Sequence, residues 1–398
     1  MAAKQIATPD IASQVFLRDP AAGVLALQAQ GPLVRIRLPL IGRAWVTTTH
    51  AATKDVLKRD EDFRMTKAGK RPAGLQWWMP RSVRLLADNM LGRDGDAHRR
   101  LRGKVDRAFA KRGIEALEPR VAAWADRLLG PLAERREIDL VADYARPFPA
   151  DVIADLLGVG AARRDAFVAR AAGFADTSTP MRTLSSVLGT GGFVRFVRAM
   201  VGEARKTPRD GLLRDLLSDD DPLGEAELVS MVFLLMFAGF ETTTNLISGS
   251  VLALERNPAA KAAWLADPHP RGIEELVRHV SAVAGSKPRF AAREAVVQGI
   301  TVPAGALVMA LPIAANYDPA MFDAPKRLVL DRLPNPHLGF GAGPHFCLGN
   351  QLARLELRVA LQRLYARFPD LRLTDDRPAY HERAGHRALK SLPVRLAA

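Results

Sequence analysis

The only cysteine of this 398-residue chain, Cys347, stands in Phe340-Gly-Ala-Gly-Pro-His-Phe-Cys-Leu-Gly349, a loop broken by three glycines that leads into a helical pattern. Glycine has no Cβ, so Gly341, Gly343 and Gly349 let the backbone turn tightly and approach a flat ligand closely. Beyond the loop, the run from Gln351 to Leu361 carries apolar residues at 352, 355 and 359, the spacing of a helix face. A free cysteine most often packs as a small hydrophobe. At a helix N-terminus, however, its sulfur meets unpaired N–H groups and the positive end of the helix dipole. Both favour the thiolate, the form that binds metals.

With no second cysteine in the chain, a zinc site built on paired thiolates and an intramolecular disulfide are both excluded. The remaining soft-metal option is a single axial thiolate on haem iron. At every fixed position the segment resembles the haem-binding signature of the cytochrome P450 family, Phe-Gly-x-Gly-x-His-x-Cys-x-Gly. The resemblance extends over nearly the whole chain from about Asp94 onward. It implies the cytochrome P450 fold as a single domain over residues 1–398, with a β-rich N-terminal part and a larger α-rich part. It also implies haem b (iron protoporphyrin IX), buried between the long central helix and the cysteine-bearing helix.

The periodicity agrees with such a fold. Runs 119–129, 151–157, 163–172, 192–204, 225–256, 272–283 and 351–368 read as helices, whereas 33–38, 44–48, 299–302 and 307–311 read as short strands. The chain is therefore mainly α with a small β portion, without an internal repeat. Hydrophobic residues make up 48% of it, enough for a substantial core. The most apolar run, Leu228 to Phe240, is 13 residues long and leads into Glu241, so it reads as a buried core helix. The N-terminus lacks the pattern of a signal peptide or membrane anchor, and a cytoplasmic protein of the soluble bacterial type is expected. The net charge of +14 raises nucleic acid as a partner, but no zinc finger, RNA-recognition signature or continuous basic helix accompanies it, and none is expected.

His98 and Arg102 are four residues apart and share one helix face. The resemblance implies that both donate to the haem propionates, together with His345 and Arg289, and that Ala238, Phe340 and Gly349 contact the ring. Glu275 and Arg278 match the family's Glu-x-x-Arg element. Arg327 stands where a further arginine completes that triad, and Leu328 stands where phenylalanine is usual. The triad's expected role is to lock the cysteine loop against the core.

Ala238-Gly-Phe-Glu-Thr-Thr243 resembles the oxygen-activation motif of the family. Ala238 and Gly239 keep the helix surface low, and Thr242 is placed to bond back to the carbonyl of Ala238. The resemblance implies that Thr242 hydrogen-bonds bound O2 and that Glu241 relays protons from solvent. It thus implies a monooxygenase acting on a small organic substrate, with electrons from a separate ferredoxin and reductase. A peroxide-driven enzyme and a non-catalytic haem or ligand-binding relative are the alternatives.

Arg100, Lys104 and Arg107 lie on the far side of their helix from His98 and read as a basic stripe. With Arg354 and Arg358 they would steer an acidic ferredoxin-type partner. Residues 64–87 hold Arg64, Lys67, Lys70, Arg71, Arg81 and Arg84 without an acid, an entrance suited to a carboxylate-bearing or carrier-bound substrate. Trp77, Trp78 and Met79 offer apolar surface there. By resemblance, residues near 174–188 and 283–288 also cover the substrate pocket.

Overall fold

A computed structural model of the chain describes residues 9–38, 42–67, 71–72, 79–110, 113–175 and 180–396. They fall into two compact units, one formed by residues 1–73, 248–347 and 375–390, the other by 74–247, 348–374 and 391–398.

The second unit is mostly helical, and periodicity explains its larger members. Helix Glu118–Leu132 buries Val121, Ala122, Ala125, Leu129 and Leu132 along one stripe, and packs against Asn350–Arg367. Below that contact the buried Tyr144 hydroxyl donates to the carbonyl of Ala360 at 2.9 Å. The helical runs read at 151–157 and 192–204 grow to Pro147–Leu157 and Pro180–Lys206. The long helix Glu225–Glu255 is apolar on nearly all sides and would by length and composition cross a membrane. From 228 to 254 it is instead clothed by protein almost throughout, the signature of a core helix. A small antiparallel sheet joins Arg372–Leu373, Pro393–Arg395 and Glu137–Asp139.

The first unit is built on a five-stranded sheet in the order Leu33–Leu38, Gly42–Thr47, Leu307–Met309, Arg289–Ala291, Phe63–Arg64. In its first strand Val34, Ile36 and Leu38 are buried while Arg35 and Arg37 are exposed, the period-two pattern of a half-buried strand. Val34 pairs with Val46 and Ile36 with Ala44, so these side chains share one face with Met309, Leu311 and Phe16. The other face carries Trp45, Val308 and Ala310 and packs against Val56 and Leu57 of helix His50–Lys58. That helix starts where the Thr49 hydroxyl caps the N–H of Ala52 at 3.2 Å. The turn read at 303–305 is present, with Gly305 at φ +77° and Ala306 N–H bonded to the Pro303 carbonyl.

Helix Pro270–Val280 holds this unit to the cysteine loop. Pro270 opens it, the His269 ring accepts from Gly272 N–H, and Ile273, Leu276, Val277 and Val280 bury its apolar face. Glu275 and Arg278, both fully buried, form a two-pronged ion pair at 2.7 and 2.8 Å. Arg278 also donates to the carbonyls of Asn316, Pro325 and Arg327 at 2.8, 2.9 and 3.1 Å. Glu275 accepts from Val329 N–H, from Asn335 and from Arg332 Nε, at 3.0, 3.2 and 3.0 Å.

The third member of the triad is therefore Arg332, not Arg327. In the turn closed by Arg327 N–H on the Ala324 carbonyl, Arg327 directs its own carbonyl inward and leaves its side chain exposed. Arg278 lies over the ring of the buried Phe322 at 5.2 Å, so an aromatic ring is present beside the pair although Leu328 replaces the usual phenylalanine.

Removing one partner of a buried ion pair costs about 3–5 kcal/mol, because the other charge stays buried. Glu275→Gln should lose that much in urea unfolding and shed haem readily. Arg327→Ala removes only a side chain outside the network and should stay within about 0.5 kcal/mol. Equal losses in the two variants would contradict this assignment.

Candidate active site

The cysteine loop is fixed from both ends by backbone bonds. Gly341 N–H donates to Leu338 O, Phe346 N–H to Gly343 O and Cys347 N–H to Phe340 O, each at 2.9 Å, so the chain doubles back on itself. Its entrance is held by Asn316, whose Oδ1 accepts from Leu338 N–H at 2.7 Å. Gly343 has φ +71°, and a Cβ there would lie 2.5 Å from the carbonyl oxygen of Leu57. Only glycine allows this approach to the last turn of helix 50–58. Arg289, 1% exposed, directs Nη1 to the carbonyls of Val56 and Leu57 at 3.4 Å, against that same helix end. The first unit thus brings Arg289, Phe340, His345 and Cys347 to segments that share one helix end.

None of the ten residues from Phe340 to Gly349 is buried, although Leu338 before them and Leu352 after them are. Phe340, Phe346, Cys347 and Leu348 therefore offer an apolar surface that the protein leaves partly open. Helix Asn350–Arg367 begins directly after Gly349.

In the second unit, helix Gly95–Ala110 carries the buried His98 and the half-buried Arg102, whose Nε lies 3.4 Å from Asp106. The long helix presents Ala238, Glu241 and Thr242. From 228 to 254 its only exposed residue is Ala238, and the half-buried Phe233, Phe237 and Thr242 flank it at helical spacing. An apolar helix with one small window is shaped to admit a ligand at that window. Gly239 turns instead toward Ile153, which a Cβ would touch at 3.4 Å. The Thr242 hydroxyl donates to the Ala238 carbonyl at 2.6 Å, and the helix continues unbroken through this turn. Glu241 is 4% exposed, so it does not belong to a solvated face.

The basic stripe expected on helix 95–110 is not free. Lys104 is buried and bound to Asp219 and Asp221 at 3.2 and 2.8 Å, Arg107 pairs with Asp219 at 3.0 Å, and Arg100 pairs with Glu227. Lys104 and Arg107 reach the acids that follow helix Leu212–Leu217, and Arg100 reaches the first turn of the long helix. On helix 350–367, Arg358 grips Glu118 through both nitrogens at 2.9 and 2.7 Å, and Arg354 donates to Asn350.

Of the basic residues between 64 and 87, Arg64 and Lys67 are exposed in the first unit, and Arg81 and Arg84 in the second. Lys70, Trp77 and Trp78 lie outside the described residues, as does part of 174–188. Sequence reasoning passed over Arg332, five residues beyond Arg327.

The residues present fit a haem. A cysteine on an open apolar loop, an open stripe of small and aromatic residues on a core helix, and imidazole and guanidinium donors are the components a flat apolar ring with two carboxylates requires. The family model "Cytochrome P450" matches residues 271–391. The vitamin D(3) 25-hydroxylase of Pseudonocardia autotrophica is 37% identical, covering 97% of this chain and 96% of that protein. Two solved structures cover 98% of this chain. The Bacillus subtilis bacillaene-synthase P450 PksS has a TM-score of 0.88 and 30% identity, with 99% of it covered. The myxobacterial CYP267B1 in complex with myristic acid has a TM-score of 0.87 and 32% identity, with 100% of it covered. With more than a third of its residues shared with a P450 hydroxylase along almost its full length, this chain belongs to the cytochrome P450 family of haem-thiolate monooxygenases.

Proposed function

We propose that the chain inserts one oxygen atom of O2 into a C–H or C=C bond of a largely apolar organic molecule. In this reading Cys347 would be the thiolate that holds the haem iron, and His98, Arg102, Arg289 and His345 would hold the haem propionates. The observation that carries it is Cys347 on an open apolar loop, in a chain whose core helix opens only around Ala238 and Thr242. Vitamin D(3), which names one relative, and myristic acid, bound in one neighbour, are both large apolar molecules. Phe233 and Phe237, stacked at 5.9 Å, offer the corresponding surface here and would keep water from the window.

When bound, haem would supply the chemistry of reductive O2 activation. The chain's own contribution is proton handling. The Thr242 hydroxyl, which donates to the Ala238 carbonyl, would turn to hydrogen-bond a bound ligand, and its Oγ1 lone pairs can accept from water. Glu241, on the same turn, offers a buried carboxyl that takes up and returns protons. Electrons come, in this reading, from a separate ferredoxin-type protein in the cytoplasm. Because Lys104 is buried against Asp219 and Asp221, recognition of that partner does not rest on its charge.

Three outcomes are expected. Reduced protein under carbon monoxide should show the red-shifted Soret band of thiolate ligation, lost in Cys347→His. Thr242→Ala should retain haem and substrate binding but divert electrons to peroxide, read as a lower ratio of product to NADH consumed with a surrogate ferredoxin and reductase. Wild-type coupling in this variant would refute the role given to Thr242. Lys104→Ala should lower the thermal midpoint while leaving the ferredoxin concentration for half-maximal turnover unchanged. The reverse pattern would restore the stripe as a docking surface.

A further inference from the structure

Three stretches of the first unit meet around one small cavity. They are the end of the long helix with Arg256 and Asn257 after it, the end of helix 270–280 with His279, and the segment that carries Tyr380 and Arg387. The carbonyls at these helix ends are already engaged. His279 O accepts from the Tyr317 hydroxyl at 2.6 Å and from Arg387 Nη1 at 3.2 Å. Val280 O accepts from Arg387 Nη1 at 3.0 Å, and Ala253 O from Asn257 Nδ2 at 2.7 Å. Arg387 is pinned further by Nε, which donates to Leu17 O at 2.7 Å, and by the Tyr380 ring, 5.4 Å from its guanidinium.

The cavity measures about 50 Å³, and among the described residues that line it no side chain is acidic. The partly buried Arg387 and the exposed Arg256 both border it, and among the described residues neither pairs with a carboxylate. Arg256 donates instead to the carbonyl of Asp376. A guanidinium enclosed by protein is ordinarily matched by an acid. His279 adds an imidazole whose buried Nδ1 has no hydrogen-bond partner among the described residues, an uncommon state for a buried polar atom. Burial, together with the charges of Arg278, Arg387 and Arg332, pushes the His279 pKa down to about 3. The ring is therefore neutral, and in one tautomer Nδ1 carries a proton to donate.

We infer that this cavity, lined by Arg256, His279 and Arg387, is a binding site for a small tetrahedral oxyanion of the phosphate class. One water needs about 10–15 Å³ of such space, so the cavity accommodates roughly four oxygen atoms. Guanidinium forks match the geometry of phosphate oxygens, and the imidazole N–H adds a neutral donor. A bound oxyanion would tie the end of helix 270–280, which carries Glu275 and Arg278, to the end of the long helix and to segment 380–389. The first unit would gain stability from it by mass action. None of the residues assigned to the oxygenase site lines the cavity, so the inference is independent of the monooxygenase reading.

The test titrates haem-loaded protein calorimetrically with sodium phosphate, in a bulky sulfonate buffer held at constant ionic strength. Sodium sulfate and sodium chloride are titrated for comparison. Phosphate should bind at one site with a dissociation constant of about 1 mM or lower, and the thermal midpoint should rise with its concentration. Sulfate should compete with phosphate, whereas chloride, too small to span the donors, should bind about tenfold more weakly than either. Arg256→Gln removes a cation at the exposed edge of the cavity and should weaken phosphate about tenfold, the equivalent of one charge-assisted hydrogen bond. Ala253→Leu fills the cavity without altering charge and should abolish binding. Arg256→Gln, on an exposed side chain, keeps the test decisive where leucine at 253 overpacks the fold. Both variants should keep the wild-type reduced carbon-monoxide spectrum, which reports separately on the cysteine site. The inference is overturned if wild type shows no saturable phosphate binding, if either folded variant binds phosphate as wild type does, or if chloride binds as tightly as phosphate.

Discussion

The buried pair of Glu275 and Arg278 is the interaction on which the geometry around Cys347 depends. In stability alone, two well-packed apolar residues of similar volume would often equal a buried ion pair. They would, however, leave the carbonyls of Asn316, Pro325 and Arg327 and the N–H of Val329 without partners, each a cost of about 1–3 kcal/mol. The pair thus specifies the path of an irregular segment that has no helix or sheet to define it. Asn316 carries the constraint onward: its carbonyl accepts from Arg278, and its side chain accepts from Leu338 N–H at the mouth of the cysteine loop. Gly339 then passes so close to helix 270–280 that a Cβ would lie 2.6 Å from Val277 Cγ1. The loop position is set by hydrogen bonds on one side and by the lack of side chains on the other.

Charge is spent differently in the helical unit. A net charge of +14 suggests a surface with basic area to spare, yet Arg100, Lys104 and Arg107 of helix 95–110 are paired with Glu227, Asp219 and Asp221, and Lys104 is buried. Exposed pairs of this kind contribute under about 1 kcal/mol each. Lys104 is different because its ammonium is held by two carboxylates at a buried position, which raises its pKa despite desolvation. Its stem packs as an apolar chain while its head is neutralised. The helix consequently uses a cation to dock against helix 212–217, where an apolar residue would be the ordinary choice.

These particulars explain what the sequence made legible. The cysteine loop, strand 33–38, the long helix and the Glu275–Arg278 spacing are local patterns, set by glycine positions and by periods of two and 3.6, and they appear where those patterns place them. Choosing between Arg327 and Arg332 required the direction of a turn in which Ala324 adopts φ +43°, a conformation that residue type does not announce. The acidic partners of the stripe on helix 95–110 were hidden for a related reason. Helical geometry gives the angle of each lysine or arginine around the axis, but not which acidic segment covers that side.

In the proposed reading the Thr242 hydroxyl serves the chemistry without disturbing the scaffold. Mid-helix threonines that bond back to the carbonyl four residues earlier often bend the helix, but helix 225–255 continues unbroken through 238–243. Redirecting that hydroxyl toward a ligand therefore needs no backbone rearrangement. Threonine, unlike valine or isoleucine, populates two χ1 rotamers in a helix, so a single side-chain rotation suffices. The Ala238 carbonyl does not become an orphan in the process, because the helical ladder still supplies it with the backbone N–H of Thr242. The cost of the switch is then one side-chain hydrogen bond, about 0.5–1.5 kcal/mol, which a bond to the ligand returns. A serine would make the same bonds but without the γ-methyl group that limits its rotamers, and valine would preserve the shape while removing the proton.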